Sequence, residues 1–134
     1  MNKIEGTVVS VTSSGELTSV EVESLGTTVT AFLIGSGLDT PKLSPGSCVW
    51  VLFKESEVAL AKDFSGYISL RNRFEGEIEK IERGELLAEI TVDCRGVKIV
   101  SVISKKGYDK MELNIGERVT AMIKANEITL MERE

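Results

Sequence analysis

The feature that most constrains the fold is an internal repeat. Aligned with itself at an offset of 70 residues, the sequence matches without a gap. The identical pairs include Asn2/Asn72, Glu5/Glu75, Gly6/Gly76, Leu17/Leu87, Val22/Val92, Gly26/Gly96, Leu43/Leu113, Gly46/Gly116, Val49/Val119, Lys54/Lys124 and Leu60/Leu130. Because the matches span the unit with the glycines in step, they indicate two copies of one small domain. The predicted domains are 1–62 and 68–134, with a linker over 62–68.

Each copy is predicted to be rich in β-strands, because apolar and polar residues alternate with the period of a half-buried strand. The predicted strands are 4–11, 17–23, 28–34 and 48–54 with 56–61 in the first copy, and 74–81, 87–93, 97–104 and 118–124 with 126–131 in the second. A short non-strand segment precedes the last two strands of each copy, and the corners at 54–56 and 124–126 are tight. The pattern predicts an all-β fold, a tandem pair of small five-stranded OB-like barrels, each with a short helical turn.

The size of each unit also bears on assembly. A barrel of roughly 60 residues buries little surface, so it is only marginally stable by itself. We therefore expect the two units to pack together and the chain to oligomerise.

Composition narrows the function. The net charge is -5 and aromatic residues make up 5% of the chain, which disfavours a nucleic-acid binder, since such proteins need basic grooves and stacking rings. The chain has no histidine and no acid–base pair at a recognisable spacing, so no enzymatic activity is expected. No apolar run is long enough to cross a bilayer and no signal peptide is evident, which predicts a cytoplasmic protein.

The two cysteines are predicted to be buried thiols. Cys48 and Cys94 each lie in an apolar or strand-like run and form neither a CxxC pair nor a zinc-ligand cluster. No metal site made of protein ligands is therefore expected.

The second copy opens with a segment that carries a family resemblance. Residues 69–78, with the sequence SLRNRFEGEI, resemble the S-A-R-N-x-[apolar]-x-G-x-[apolar] start of the molbindin (Mop, or TOBE) family of molybdate-binding domains. The resemblance continues in order through 102–104, 113–119 and 121–125, and so covers essentially all of 68–134. The first copy then corresponds to a diverged second module, the tandem di-Mop arrangement.

The resemblance implies a site for a tetrahedral oxyanion, molybdate or tungstate, bound as such without an organic cofactor. The implied oxyanion-binding residues are Ser69, Leu70, Arg71, Asn72, Ser104 and Lys124. Such a dianion offers only acceptor oxygens, so the site must supply hydroxyls, amides and a cationic side chain. These residues have those groups, Leu70 through its backbone amide, and backbone N–H groups around 69–72 add further donors. Since the two anions have nearly the same size and charge, both remain candidates.

Several positions depart from the family pattern. Leu70 replaces the usual alanine, and Gly107 stands where some relatives carry a hydroxyl residue. In the first copy the signature segment is reduced to a single asparagine, Asn2, and Ile34 takes the place of Ser104. Of the donors outside that segment only Lys54 is preserved, so one full donor set per chain is expected. Lys54, Lys105 and Gly107 are secondary candidates for the site. The segment 35–37, with the sequence GSG, is predicted to be a turn and not a phosphate loop.

The leading functional hypothesis is non-covalent oxyanion binding for intracellular storage, buffering or sensing. The resemblance implies a homo-oligomer, a trimer holding six modules, with anions at module interfaces. The charge, the few aromatic residues and the short apolar runs predict no nucleic-acid or membrane partner. The alternative is a ligand-free oligomerisation or regulatory module associated with a transporter or regulator, which the divergence of the first copy favours.

Overall fold

The computed structural model describes residues 1–34 and 42–134, and their fold is built almost entirely from β-strands. The strands are β1 (Asn2–Ser14), β2 (Leu17–Ser24), β3 (Thr27–Ile34), β4 (Cys48–Phe53), β5 (Ala59–Ala61), β6 (Asn72–Arg83), β7 (Leu87–Cys94), β8 (Val97–Ser104), β9 (Arg118–Ile123) and β10 (Thr129–Glu132). One helix, α1 (Lys105–Met111), and two 3₁₀ turns, Glu55–Glu57 and Ala125–Glu127, complete the elements of the described residues. The all-β prediction is confirmed. The predicted turn at 35–37 lies outside the described residues, as does part of the segment predicted to hold the helical turn of the first copy.

The strands form two five-stranded sheets, with the orders β10-β4-β1-β2-β3 and β5-β9-β6-β7-β8. Each sheet therefore takes its fifth strand from the other repeat. Leu130 of β10 pairs with Val51 of β4, and Leu60 of β5 pairs with Ala121 of β9. The expectation that the two units pack together is confirmed, because neither sheet is completed by its own repeat.

The last strands differ from the predicted ones in where they begin. The tight corner at Lys54 continues as the 3₁₀ turn Glu55–Glu57, and β5 starts only at Ala59. Lys54 and Val58, which flank this turn, are both extended, with φ/ψ of -75/149° and -97/116°. This geometry carries the chain onward to the other sheet, whereas a hairpin would return it to β4.

The long first strand of each sheet is bent at an equivalent place. The β1–β2 register shifts between Val8 and Ser10, and the β6–β7 register shifts between Ile78 and Lys80. Such bulges bend a strand and increase its twist, which lets a small sheet curl towards a barrel. Gly76 allows β6 and β7 to approach closely near this bend, since a Cβ at this position would lie 2.4 Å from the carbonyl oxygen of Asp93.

Two buried asparagines connect the repeats by equivalent hydrogen bonds. Asn2 donates from Nδ2 to the Val100 carbonyl oxygen and accepts from the Val100 amide, both at 2.8 Å. Asn72 makes the same pair of bonds with Thr30, at 2.9 and 2.8 Å. Since Asn72 and Val100 lie 70 residues after Asn2 and Thr30, the two joints are related by the internal repeat. They sit beside one hydrophobic core that draws residues from both repeats.

The linker is held by Lys62. Its Nζ donates to the carbonyl oxygens of Met111 and Glu112, both at 3.1 Å, and pairs with Glu117 at 2.8 Å. A cation at the carboxyl end of a helix satisfies carbonyls that the helix leaves free. The ion pair raises the pKa of Lys62 and lowers that of Glu117.

The prediction for the two cysteines is half correct. Cys94 is buried, but Cys48 is exposed. Cys48 opens β4, where the alternation of the strand turns Val49 towards the core and Cys48 away from it. In the described residues, no helix is long and apolar enough to span a membrane.

Candidate functional site

A groove at the junction of the two repeats gathers three of the predicted site residues. We call it the Lys124 groove; its volume is about 380 Å³. The first repeat contributes Ser56, Glu57, Val58 and Ala59, and the second contributes Leu70, Val102, Ile103, Ser104, Met122, Lys124 and Glu127. The strand exchange explains this composition, because it brings the 3₁₀ turn and β5 of the first repeat against β8 and β9 of the second.

Lys124 is positioned by the end of β9. It follows the last residue of that strand and precedes the turn Ala125–Glu127, with an extended backbone. In the antiparallel ladder between β6 and β9, Asn72 pairs with Ile123. Arg71 precedes Asn72 and Lys124 follows Ile123, so these two cationic residues lie just beyond the last paired position of the ladder.

Ser104 is positioned by the start of α1. Its hydroxyl oxygen accepts a hydrogen bond from the Gly107 amide at 3.0 Å and so caps the helix. A serine hydroxyl has one O–H donor besides its acceptor lone pairs. The cap therefore fixes the oxygen while leaving its hydrogen to donate into the groove. The same bond uses the Gly107 amide, and Gly107 is not a lining residue of the groove.

The remaining predicted residues have different surroundings. Ser69 and Arg71 are exposed and do not line the groove. Asn72 is 1% exposed, and both polar atoms of its side chain bond to Thr30. Lys105 pairs with Asp109 at 2.7 Å. The structure therefore brings Leu70, Ser104 and Lys124 together, leaves Ser69, Arg71 and Lys105 outside the groove lining, and uses the Asn72 side chain to join the repeats.

The first repeat forms an equivalent but smaller groove around Lys54. This Lys54 groove has a volume of about 210 Å³ and is lined by Met1, Leu52, Phe53, Lys54, Glu57, Asn126, Glu127 and Thr129. Ile34, the counterpart of Ser104, is 78% exposed and does not line it. The Lys54 groove thus has the lysine but lacks the capped hydroxyl.

The electrostatics of both grooves are mixed. Glu57 and Glu127 line each of them, so each lysine shares its groove with two carboxylates. An anion bound at Lys124 must gain enough from donors to outweigh repulsion by these glutamates. Ser56 is a further donor that the sequence analysis missed. The sequence shows that Ser56 lies in the tight corner after Lys54, which could have suggested it as a donor. Only the strand exchange shows that this corner faces the second repeat.

Comparison with known proteins agrees with this architecture. The family model described as the TOBE domain matches residues 68–130. A structure of the cytoplasmic molybdate-binding protein ModG, with molybdate bound, superposes with a TM-score of 0.92 at 28% identity, covering 98% of this chain and 96% of that one. The second repeat belongs to the TOBE domain family, and the whole chain shares the tandem fold of ModG. Its two repeats are therefore a tandem of Mop modules.

Curated relatives of this tandem Mop chain include longer proteins. The molybdenum transport protein ModE of Herbaspirillum seropedicae is 28% identical over 127 residues, which are 92% of this chain and 47% of that protein. The molybdenum-pterin-binding protein MopB of Rhodobacter capsulatus is 33% identical over 108 residues, 78% of this chain and 40% of that protein. The Mop tandem thus spans less than half the length of either relative.

Proposed function

We propose that the protein binds a tetrahedral oxyanion, molybdate or tungstate, non-covalently in the Lys124 groove. The observation that carries the proposal is the meeting of the Lys124 ammonium and the helix-capping hydroxyl of Ser104 in one groove, with Arg71 at the end of the adjoining strand. The similarity to ModG, whose structure contains molybdate, supports the choice of anion.

The chemistry of the groove suits an anion that offers only acceptors. Lys124 supplies charge and up to three N–H donors, and Ser104 and Ser56 supply hydroxyls. Arg71 and the backbone amides of 69–71 complete the donor set from the open side. Because Glu57 and Glu127 oppose a net negative ligand, affinity depends on the number and direction of donors more than on charge.

We further propose that copies of the chain assemble around this groove as a homo-oligomer, a trimer. Large apolar side chains are exposed next to the site: Leu86 is 82% and Leu87 57% exposed. Leu87 pairs with Ser104 across β7 and β8, so an apolar surface borders the donor groove. Exposed apolar patches rimmed by polar groups mark interfaces, and a neighbouring copy on this surface would close the open side of the groove.

We propose that the biological role is storage, buffering or sensing of the anion in the cytoplasm, without catalysis. Binding alone serves such a role, since the groove offers a lysine and hydroxyls for holding an anion and the chain has no histidine for proton transfer. ModG, the structural relative, is a cytoplasmic molybdate-binding protein.

Two observations favour a second function, a ligand-free assembly or regulatory module. The two glutamates in each groove and the loss of the capped hydroxyl in the first repeat are compatible with barrels that only hold subunits together. In that case the apolar surface at Leu86 would carry the function and the Lys124 groove would remain empty.

Calorimetric titration distinguishes the two functions. We expect molybdate and tungstate to bind the full chain, with sulfate and phosphate binding much more weakly. The double variant Arg71→Ala, Lys124→Ala should lose binding. A charge-matched control, Arg83→Ala with Lys42→Ala, removes two exposed cations that do not line the groove and should bind as the parent does. Absence of heat with all four anions, or equal binding by both double variants, would overturn the proposal.

A further inference from the structure

A second cleft, larger than the Lys124 groove, is lined by three arginines. Arg73 comes from β6, Arg95 from the turn between β7 and β8, and Arg118 from the start of β9. The cleft also touches the β2–β3 turn of the first repeat at Leu25 and Gly26, and has a volume of about 500 Å³. We call it the arginine cleft.

Two of the three guanidinium groups in this cleft are held by backbone carbonyl oxygens. Arg73 donates from Nε to the carbonyl oxygen of Leu70 at 3.0 Å, and Arg95 donates from Nη1 to that of Leu25 at 3.2 Å. No carboxylate of the described residues lies within 4.0 Å of any of the three guanidinium groups. The one acidic lining residue is Glu75. The cleft thus concentrates positive charge in a protein whose net charge is negative.

A glycine makes room for this arrangement. A Cβ at Gly26 would lie 1.7 Å from Nη1 of Arg95, so the guanidinium occupies the space that a side chain would fill. Gly26 also has a φ of +76°, a conformation suited to glycine. The first repeat therefore contributes shape to a cleft whose charge comes from the second.

The equivalent region of the other sheet shows that the fold does not require these arginines. At an offset of 70 residues, Arg95 corresponds to Leu25 and Arg118 to Cys48. There Trp50 lies beneath Lys3, at 4.3 Å, and Arg133, at 5.4 Å, while Arg133 is paired with a glutamate at 3.0 Å. In that region the Trp50 ring and the Arg133–Glu5 ion pair occupy the surface, whereas the arginine cleft is open.

The walls of the arginine cleft are partly aromatic. Phe64 from the linker is 43% exposed and lies under the Arg73 guanidinium at 5.7 Å, while Phe74 and Met122 form a buried apolar floor. Guanidinium groups bind phosphate oxygens in bidentate fashion and stack on flat rings. The volume lies in the range of roughly 300–1,000 Å³ that holds small organic ligands, larger than a bare oxyanion needs.

We propose that the arginine cleft is a second anion site, separate from the Lys124 groove, and that it takes an aromatic organic phosphate. The phosphate meets the Arg95 and Arg118 guanidinium groups. The ring lies against Phe64 and the apolar floor. The lining of the arginine cleft shares Met122 with the Lys124 groove but includes neither Ser104 nor Lys124.

Binding of phenyl phosphate to the full chain tests the proposal, with inorganic phosphate, benzoate and phenol as comparisons. We expect phenyl phosphate to bind most tightly and phenol not at all. The variant Arg95→Met, Arg118→Met should weaken phenyl phosphate binding by on the order of a hundredfold, about tenfold for each guanidinium. The single variants Arg83→Met, at an exposed arginine outside the cleft, and Lys124→Met should bind it as the parent does.

Equal affinity for phenyl phosphate and inorganic phosphate, or for phenyl phosphate and benzoate, would overturn the assignment of an aromatic phosphate. Loss of binding in Lys124→Met would place the ligand in the other groove and would also overturn it. A second measurement avoids dependence on variant folding: NMR titration of the parent chain should shift the Arg95 and Arg118 Nε–H signals before any resonance of Lys124. Shifts at Lys124 alone would contradict the proposal.

Discussion

The Lys124 groove and the Lys54 groove are formed by equivalent backbone elements of the two repeats but are lined by different side chains. The pairs Asn2/Asn72 and Gly6/Gly76 are shared by both repeats, and each member serves packing: buried interrepeat bonds in one case, close strand approach in the other. Ser104 has no such counterpart, since Ile34 replaces it. The comparison teaches that the shared asparagines and glycines maintain the fold. The lysine is also shared, but only in the second repeat does its groove contain a helix-capping hydroxyl, so the difference between the repeats lies in Ser104.

The largest expected effect comes from separating the repeats. Residues 68–134 alone would leave β9 without β5 and β10 without β4, so the isolated second repeat should show no cooperative thermal transition at low concentration. Adding a 1–67 fragment should restore the transition, which circular dichroism would report. A monomeric 68–134 fragment that melts like the full chain would show that the strand exchange is dispensable.

The next effect sharpens the contrast between the two lysines. Lys124→Met should weaken molybdate binding by roughly ten- to a hundredfold, the effect of removing one charged hydrogen-bond donor. Lys54→Met should change affinity by about twofold or less, as expected for a surface charge. Calorimetric titration of both variants gives the comparison. Equal losses would mean that both repeats hold ligand.

The two asparagines should behave alike. Asn72→Leu removes two buried hydrogen bonds and leaves the Thr30 amide and carbonyl without partners, so it should destabilise the fold by about 2–4 kcal/mol. Asn2→Leu should cost a similar amount through Val100. Urea unfolding measures both, with a lower midpoint and an unchanged slope. If Asn72→Leu abolished molybdate binding without loss of stability, its side chain would be a ligand donor after all.

The smallest effect concerns the two cysteines. Burial raises the pKa of the Cys94 thiol to about 11, from an ordinary value of 9.0. Between these values the unfolded chain releases the thiol proton while the native chain keeps it, so this contribution to stability is present below pH 9 and lost as pH rises towards 11. Melting temperature measured across this interval should fall less steeply in Cys94→Ser than in the parent. Cys48→Ser, at an exposed position, should leave the slope unchanged, and an equal change of slope in both variants would contradict the assignment.

The strands and their buried faces were predictable because apolar and polar residues alternate along each strand, and the apolar residues lie on the buried face. The exchange of β5 and β10 was not, since the two repeats carry equivalent last strands and the same alternation fits pairing within or between them. The buried role of Asn72 was available in principle from its identity with Asn2. The resemblance instead assigned Asn72 to the anion, and the structure gives its side chain to Thr30.

The sites were predictable to different degrees. Ser104 and Lys124 were predicted from the family pattern and lie in one groove, although their role as ligands stays a prediction. Ser56 was missed because it joins the groove only through the strand exchange. The arginine cleft had no local signal, since Arg73, Arg95 and Arg118 lie far apart in sequence and meet only in the folded chain.

Anomalous diffraction from crystals grown with tungstate tests the central claim most directly, because the metal's own absorption edge locates the anion. We predict a peak in the Lys124 groove, with oxyanion oxygens about 3 Å from Lys124 Nζ and Ser104 Oγ. A peak only in the arginine cleft or the Lys54 groove, or no peak at saturating tungstate, would contradict the account.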